Sequence, residues 1–392
     1  MKKILLIILC LGSLGVQAQK EMRPADANIV NDNEGRLCCF DVNTKKPVEG
    51  KIRLIDSLGA RYIDIEFDDK GYASGKRTVV VDNVVVSEGN HKDGFLDGIQ
   101  RDYSPDGKTM LSEKFYVNGS KEGVWREFYD DGTLMSEKSF KADKMSGILK
   151  TFFSDGKIES EKGYKDGTEN GPEKIYADDG SILRDLNYLD GKPTGKAFYI
   201  FTSNTGDYTR TAFYDKNGKL DGDYADIFLD GGIKEKGRYS VGEKDGEWIY
   251  GRRDGVKLRT EFYGKGVLIK RTKYFNGGNI EVEEELNEDG KKHGTERKFD
   301  NNGNLRSEIN YKDGKEHGKS IMNIKGDSEN YTVKSNYENG RLDGEYIEKY
   351  ENGKIKTKGR YVNGNRDGVW TTYHPDGKAE SEEEYKNGRP VK

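Results

Sequence analysis

The sequence has no apolar stretch approaching the roughly 20 residues that a membrane-spanning helix needs. Its strongest run, Ile4 to Leu11, is far shorter, so no transmembrane anchor is expected. Hydrophobic residues make up only 33% of the chain, too few for a large globular core but enough for a thin sheet. Cysteine is scarce: Cys10 lies in the apolar run, which leaves Cys38 and Cys39 side by side. Adjacent cysteines bridge each other only with strain, so a vicinal disulfide and free or intermolecularly paired thiols all stay open. Charge of one sign is missing too. The formal net charge is −4, and no basic stripe emerges from the alternating Lys and Glu, so there is little attraction to nucleic acid or to an anionic membrane. Also absent are a nucleophile elbow, a phosphate-binding loop, a His-Glu-x-x-His and a paired Cys-x-x-Cys. The chain is expected to be non-enzymatic, with no cofactor and no metal site.

What is present begins with Lys2 and Lys3, the apolar run, then small residues and Val16-Gln17-Ala18. This reads as a secretory signal peptide cleaved after Ala18. Leu9 is not the small residue that lipid attachment at Cys10 would require. Removing two lysines takes the charge from −4 to about −6, and export permits disulfides. Residues 19–44 are polar and lack periodicity except for Leu37-Cys38-Cys39-Phe40-Asp41-Val42, read as one strand that caps an open sheet edge.

Residues 45–392 repeat. The best copy runs from Glu122 to Phe140, two apolar runs around Asp131-Gly132, which reads as a β-hairpin with a tight turn. A first glycine returns at Gly98, Gly123, Gly147, Gly171 and onward to Gly344 and Gly368, a period of about 24 residues that gives about 14 hairpin units. Lys270 stands where one such glycine is expected. A second glycine follows at the hairpin turn, as in Gly107, Gly132 and Gly377, and a third in Asn118-Gly119, Asp166-Gly167 or Asn363-Gly364 before the chain reverses into the next unit. The expected fold is all-β, an elongated, twisted antiparallel meander or solenoid of stacked hairpins.

Aromatic residues recur in register. Phe140, Tyr164, Tyr188, Tyr239, Tyr263, Tyr311, Tyr361 and Tyr385 end the second strand and predict a ladder of cross-strand contacts. The first strand carries Trp125, Tyr224, Trp248, Tyr346 and Trp370, with Phe128 or Tyr373 three residues beyond and so on the opposite face. The first-strand rungs are a candidate binding surface. A second candidate is the pair of longer units beginning at Gly195 and Gly318, whose added residues fall near the hairpin turn around Asn204, Asp207, Lys325 and Asp327; added loops are a common place for specificity.

Other constellations have simpler explanations. His293 and His317 occupy equivalent positions one unit apart, roughly 9–10 Å across two strand spacings, too far to share a zinc ion. The Asp residues before turn glycines, such as Asp106, Asp131 and Asp376, are turn formers rather than a calcium cage, which needs six to eight converging oxygens.

Written as Asp-Gly-x-Trp-x-x-Tyr-x-x-Asp-Gly-x-x-x-Ser-Glu-x-x-Tyr-x-Asn-Gly, with Ser112-Glu113, Ser136-Glu137, Ser160-Glu161, Ser307-Glu308 and Ser381-Glu382 as its pairs, the unit resembles the bacterial variant of the MORN repeat (membrane occupation and recognition nexus). It is similar to arrays catalogued as the YwqK family of antitoxins. The resemblance implies antiparallel hairpins with a protein-binding or scaffold role, and contact with membrane lipid as proposed for eukaryotic members. The unit departs from the eukaryotic pattern, which has a shorter period, and a signal peptide would separate the protein from a cytoplasmic toxin. The expectation is an exported scaffold, in the periplasm, on the outer surface or outside the cell, that binds a protein partner. Binding an envelope glycan through the tryptophan rungs, or an antitoxin-like immunity role, is the alternative; nucleic acid is excluded and lipid contact disfavoured.

Overall fold

The computed structural model describes residues 19–391 apart from 57, 205, 327 and 328. The expected signal peptide and Asp327 lie outside those residues. Met1–Gly191 and Lys192–Lys392 form two compact units. Each is an all-β antiparallel meander, and no helix occurs among the described residues.

Two turn chemistries build both units. Where one repeat passes into the next, two residues reverse the chain with both φ angles positive, as at Asn118 (φ 46°) and Gly119 (φ 81°) between strands Met110–Val117 and Ser120–Phe128. This is the type I′ turn, whose twist matches that of the strands. Within a repeat the reversal is different. At Asp131-Gly132 only the glycine is left-handed (φ 89°); its N–H donates to Tyr129 O at 2.9 Å while Tyr129 N–H donates to Thr133 O at 2.8 Å. Asp131 Oδ1 accepts the Thr133 N–H at 2.8 Å. That is a type I turn closed by a glycine bulge, so the tight Asp-Gly turn expected inside the unit is found at the junction between units instead.

The first glycine of each repeat relieves a second constraint. Gly123 (φ 64°) lies where the register between Met110–Val117 and Ser120–Phe128 shifts, and Gly246 (φ 68°) does the same at Lys236 to Arg238. There Gly237 alone faces Gly246, Glu247 and Trp248. Such a bulge re-aims the strand, and glycine adopts the left-handed angle without a Cβ clash.

In the first unit the meander starts at Gly50–Ile55, whose edge is covered by a parallel strand, Lys20–Met22. A separate hairpin, Ala27–Asn31 with Leu37–Asp41, lies alongside. Its backbone is received by glycine, since a Cβ at Gly71 would sit 2.7 Å from Cys39 O. Met22, Cys39, Val48, Ile52, Ile65 and Phe67 pack here as an apolar core. In the second unit the largest buried cluster is aromatic, Ala212, Tyr224, Trp248 and Tyr250, with Tyr239 and Tyr263 against it.

In the two longer repeats the strands pair further towards the turn. Lys192–Phe201 pairs with Tyr208–Tyr214 without a register shift from Gly195↔Tyr214 to Phe201↔Tyr208, and Lys315–Lys325 pairs with Asn330–Glu338 in the same unbroken way. Most other repeats shift register near the turn, as between Glu127 and Phe128. The added residues therefore extend the ladder and remove its bulge.

Candidate functional site

The tryptophans expected as a binding surface are packed inside the repeats. Exposure is 8% for Trp125, 0% for Trp248 and 4% for Trp370, with Tyr224 at 5%; Tyr346 is half-buried. Trp248 lies 4.9 Å from Tyr239 edge-on and 5.6 Å from Tyr224, and its indole N–H donates to Arg238 O at 3.1 Å. Trp370 repeats this with Tyr361 at 5.0 Å, Tyr346 at 5.4 Å and Arg360 O at 3.2 Å. Trp125 meets Phe140 at 4.8 Å and Tyr116 at 5.0 Å and donates to Phe115 O at 3.0 Å. Tyr224 is thus brought together with Trp248, and Tyr346 with Trp370. Gly237 and Gly359 floor two of these pockets, because a Cβ at either would enter the indole.

A cation four residues before each tryptophan closes the remaining side. Lys121 Nζ lies 5.0 Å from the Trp125 ring, Lys244 Nζ 3.9 Å from Trp248, and Arg366 Cζ 4.3 Å from Trp370. Lys244 also donates to Tyr250 Oη at 2.7 Å. Burial raises the tyrosine hydroxyls well above the usual phenol range, Tyr224, Tyr250 and Tyr346 among them, and pushes Tyr311 up to about 12. The tryptophan rings are covered largely by aromatic residues of the preceding repeat and are almost fully buried, so they offer no open face for stacking a sugar.

The other predicted residues are equally committed. Asn204 is exposed; Asp207 accepts the Ser203 N–H at 3.2 Å and so shapes its own turn. Lys325 is exposed and pairs with Asp300 at 3.0 Å, whose carboxyl is held far below the usual range chiefly by the Asn304 side chain and backbone and then by Lys325. His293 pairs with Asp313 at 3.2 Å and His317 with Glu338 at 3.5 Å, each separately. Cys38 and Cys39 are both buried free thiols, and burial pushes the Cys39 thiol up to about 11.

The opposite face of the sheet carries what was not anticipated. In the first unit one row of directly paired residues runs Glu88, Arg101, Glu113, Arg126, Glu137. The same row continues through Lys150, Glu161, Lys174 and Asp185. Sign alternates at every strand. Arg101 lies 2.9 Å from Glu113, and Arg126 lies 3.5 Å from Glu113 and 2.9 Å from Glu137. In the second unit the row includes Glu283, Arg297 and Glu308, with Arg297 at 2.7 Å from Glu308. The Glu of each Ser-Glu pair is its acid, and its serine turns to the tryptophan side, where Ser136 Oγ donates to Glu127 at 2.8 Å. The available signal was Arg or Lys one residue past the tryptophan position, as in Arg126 and Lys150. Beside the row, two residues along the same strands, Ile99, Phe115, Val124 and Ile148 are exposed.

These features define a β-hairpin repeat protein with a self-filled aromatic face and an open face of mixed charge and apolar residues. Residues 121–142, 145–166, 292–313, 342–363 and 366–387 match the family model described as the MORN repeat variant, so five of the hairpin units are similar to that repeat. No curated protein matches it. Among solved structures it is similar to a Tc holotoxin pore of Photorhabdus luminescens, at 12% identity over 92% of this chain and 18% of that one, with a TM-score of 0.15. A TcdB2–TccC3–Cdc42 complex matches at 11% identity over 92% of this chain and 27% of that one, with a TM-score of 0.16. The chain spans well under two thirds of either, and scores this low carry no functional argument.

Proposed function

We propose that the protein is an exported scaffold that binds another protein through the open face of its repeats. The observation that carries this reading is the band of exposed Ile99, Phe115, Val124 and Ile148 beside the alternating charge row. Apolar side chains within a polar frame are the usual make-up of a protein-binding patch. The aromatic face is filled by its own side chains, so the open face is the one left for a partner. For the same reason the reading as a glycan-binding module loses its stacking surface.

Two measurements test the parts separately. N-terminal sequencing of protein recovered outside the cytoplasm is expected to begin at Gln19; recovery of the intact chain from the cytoplasm would end the export part. Pull-down from envelope extract is expected to yield a defined partner with the native chain and to lose it with Phe115→Ser combined with Val124→Ser. The same proteins recovered with both, or none with either, would overturn the binding part.

A further inference from the structure

We infer that the repeat in which Lys270 replaces the first glycine is the specificity site, and that it docks an extended partner segment bearing a large apolar side chain flanked by Lys or Arg. This rests on the protein-binding reading above and names where and what it binds. At the junction before Gly246, one residue faces three. At Lys270 the strand Val267–Tyr274 runs on with a single unmatched residue, Ile269, between Leu268, paired with Tyr263, and Lys270, paired with Phe262. The shallow bulge turns two large side chains outward. Phe262 is 49% exposed and Ile269 43%.

Ile269 stands between two hollows. Val267, Leu286 and Glu288 line one, and Phe262, Lys270 and Glu285 line the other. Its Cδ1 rests on Gly264, where a Cβ would approach to 2.7 Å, so a small residue there leaves the side chain room to lie across the ridge. Directly paired across four strands, Glu247, Phe262, Lys270 and Glu285 form one row. Its charges are less closely paired than those of the neighbouring row. Lys270 reaches Glu283 at 3.8 Å rather than Glu285, and the Glu285 carboxylate accepts the Thr295 backbone N–H at 3.3 Å and feels Arg297 only at longer range. Glu247 and Glu288 are exposed, and neither has a cationic partner among the described residues.

Around the ridge Glu247, Glu285, Glu288 and Asp289 outnumber Lys265 and Lys270, and this acidic excess selects the occupant by charge. A cationic residue on either side of an apolar anchor would neutralise Glu247 and Glu285 while the anchor covers Phe262 and Ile269. A second copy of the chain in a twofold contact would set the same carboxylates against themselves, and the acidic excess disfavours nucleic acid.

The test is to pan a random dodecapeptide phage library on the full chain, then measure fluorescence anisotropy with a labelled copy of the most enriched peptide. Enriched sequences are expected to place an aliphatic or aromatic residue between Lys or Arg residues. Affinity should fall at least about tenfold both in Phe262→Ser with Ile269→Ser and in Glu247→Lys with Glu285→Lys, and stay unchanged in Val369→Ser. Because the charge variant leaves the apolar ridge intact, loss of folding in the first variant would leave the second decisive. Enriched peptides indifferent to the variants, acidic peptides, or no enrichment would overturn the proposal, as would a dimer seen by light scattering that Phe262→Ser with Ile269→Ser abolishes. Peptide binding lost instead with Phe115→Ser and Val124→Ser would remove this site while keeping the scaffold reading.

Discussion

Trp248 shows how much one residue contributes to a sheet this thin. It has no exposed surface, three aromatic neighbours and a satisfied indole N–H, so Trp248→Ala should cost about 3–5 kcal/mol by urea unfolding, the range for emptying a large aromatic site. Gly237→Ala should fail for the converse reason, because its Cβ would enter the ring, at about 1–3 kcal/mol. His91 gives the chain a pH dependence. Burial, with Arg77 adding to it, lowers its pKa to about 4, and Nδ1 has no partner among the described residues. The unfolded imidazole titrates near 6.5, so the unfolded state takes up the proton first. Stability is complete above about pH 6.5 and is lost as pH falls towards 4, by up to about 3 kcal/mol. Chemical denaturation at pH 7.5 and 4.5 should show a smaller loss in His91→Leu than in the native chain.

At the scale of the element, the junction turn demands a left-handed first residue, which Asn118, Asp166, Asp313 and Asn363 supply with φ near 50°. Val241 occupies the same position at φ 51°. A β-branched residue is strained there by about 1–2 kcal/mol, so Val241→Asn should stabilise by about 1 kcal/mol in thermal or urea unfolding; no gain would mean that the turn is not rate- or stability-limiting in that repeat. The glycine and Asn-Gly spacings made the hairpins legible in sequence, since each marks a backbone angle that few residues adopt. Which glycine closes which turn was not legible, because Asp131-Gly132 and Asn118-Gly119 read alike until hydrogen bonds distinguish them. The longer repeats misled for a related reason: added residues near Asn204 and Lys325 can lengthen a ladder or a loop, and pairing across the strands decides. The tryptophans misled differently. Their spacing gives their face, but not that Gly237, Gly359 and a nearby Lys or Arg close over the rings.

At the scale of the whole molecule, a small net charge conceals strong local order. The alternating row in the first unit is half exposed, so each pair is worth only about 0–1 kcal/mol, but every partner is shared between two strands and a slipped pairing would meet like charges. Arg126→Glu would set three carboxylates in line at positions 113, 126 and 137. It should cost about 1–2 kcal/mol in low salt and distinctly less in 1 M NaCl, where the Debye length is about 3 Å. A cost independent of salt would assign Arg126 a packing role instead.

The three sealed tryptophans are also the only ones in the chain. Each is therefore a native fluorophore for the contact between its repeat and the one before, Trp125 in the first unit and Trp248 and Trp370 in the second. Their emission should be blue-shifted when folded and move red in separate steps if repeats open one at a time. Single-tryptophan variants would assign each step without an added label, so the most deeply buried rings become the chain's internal record of which repeat contact yields first.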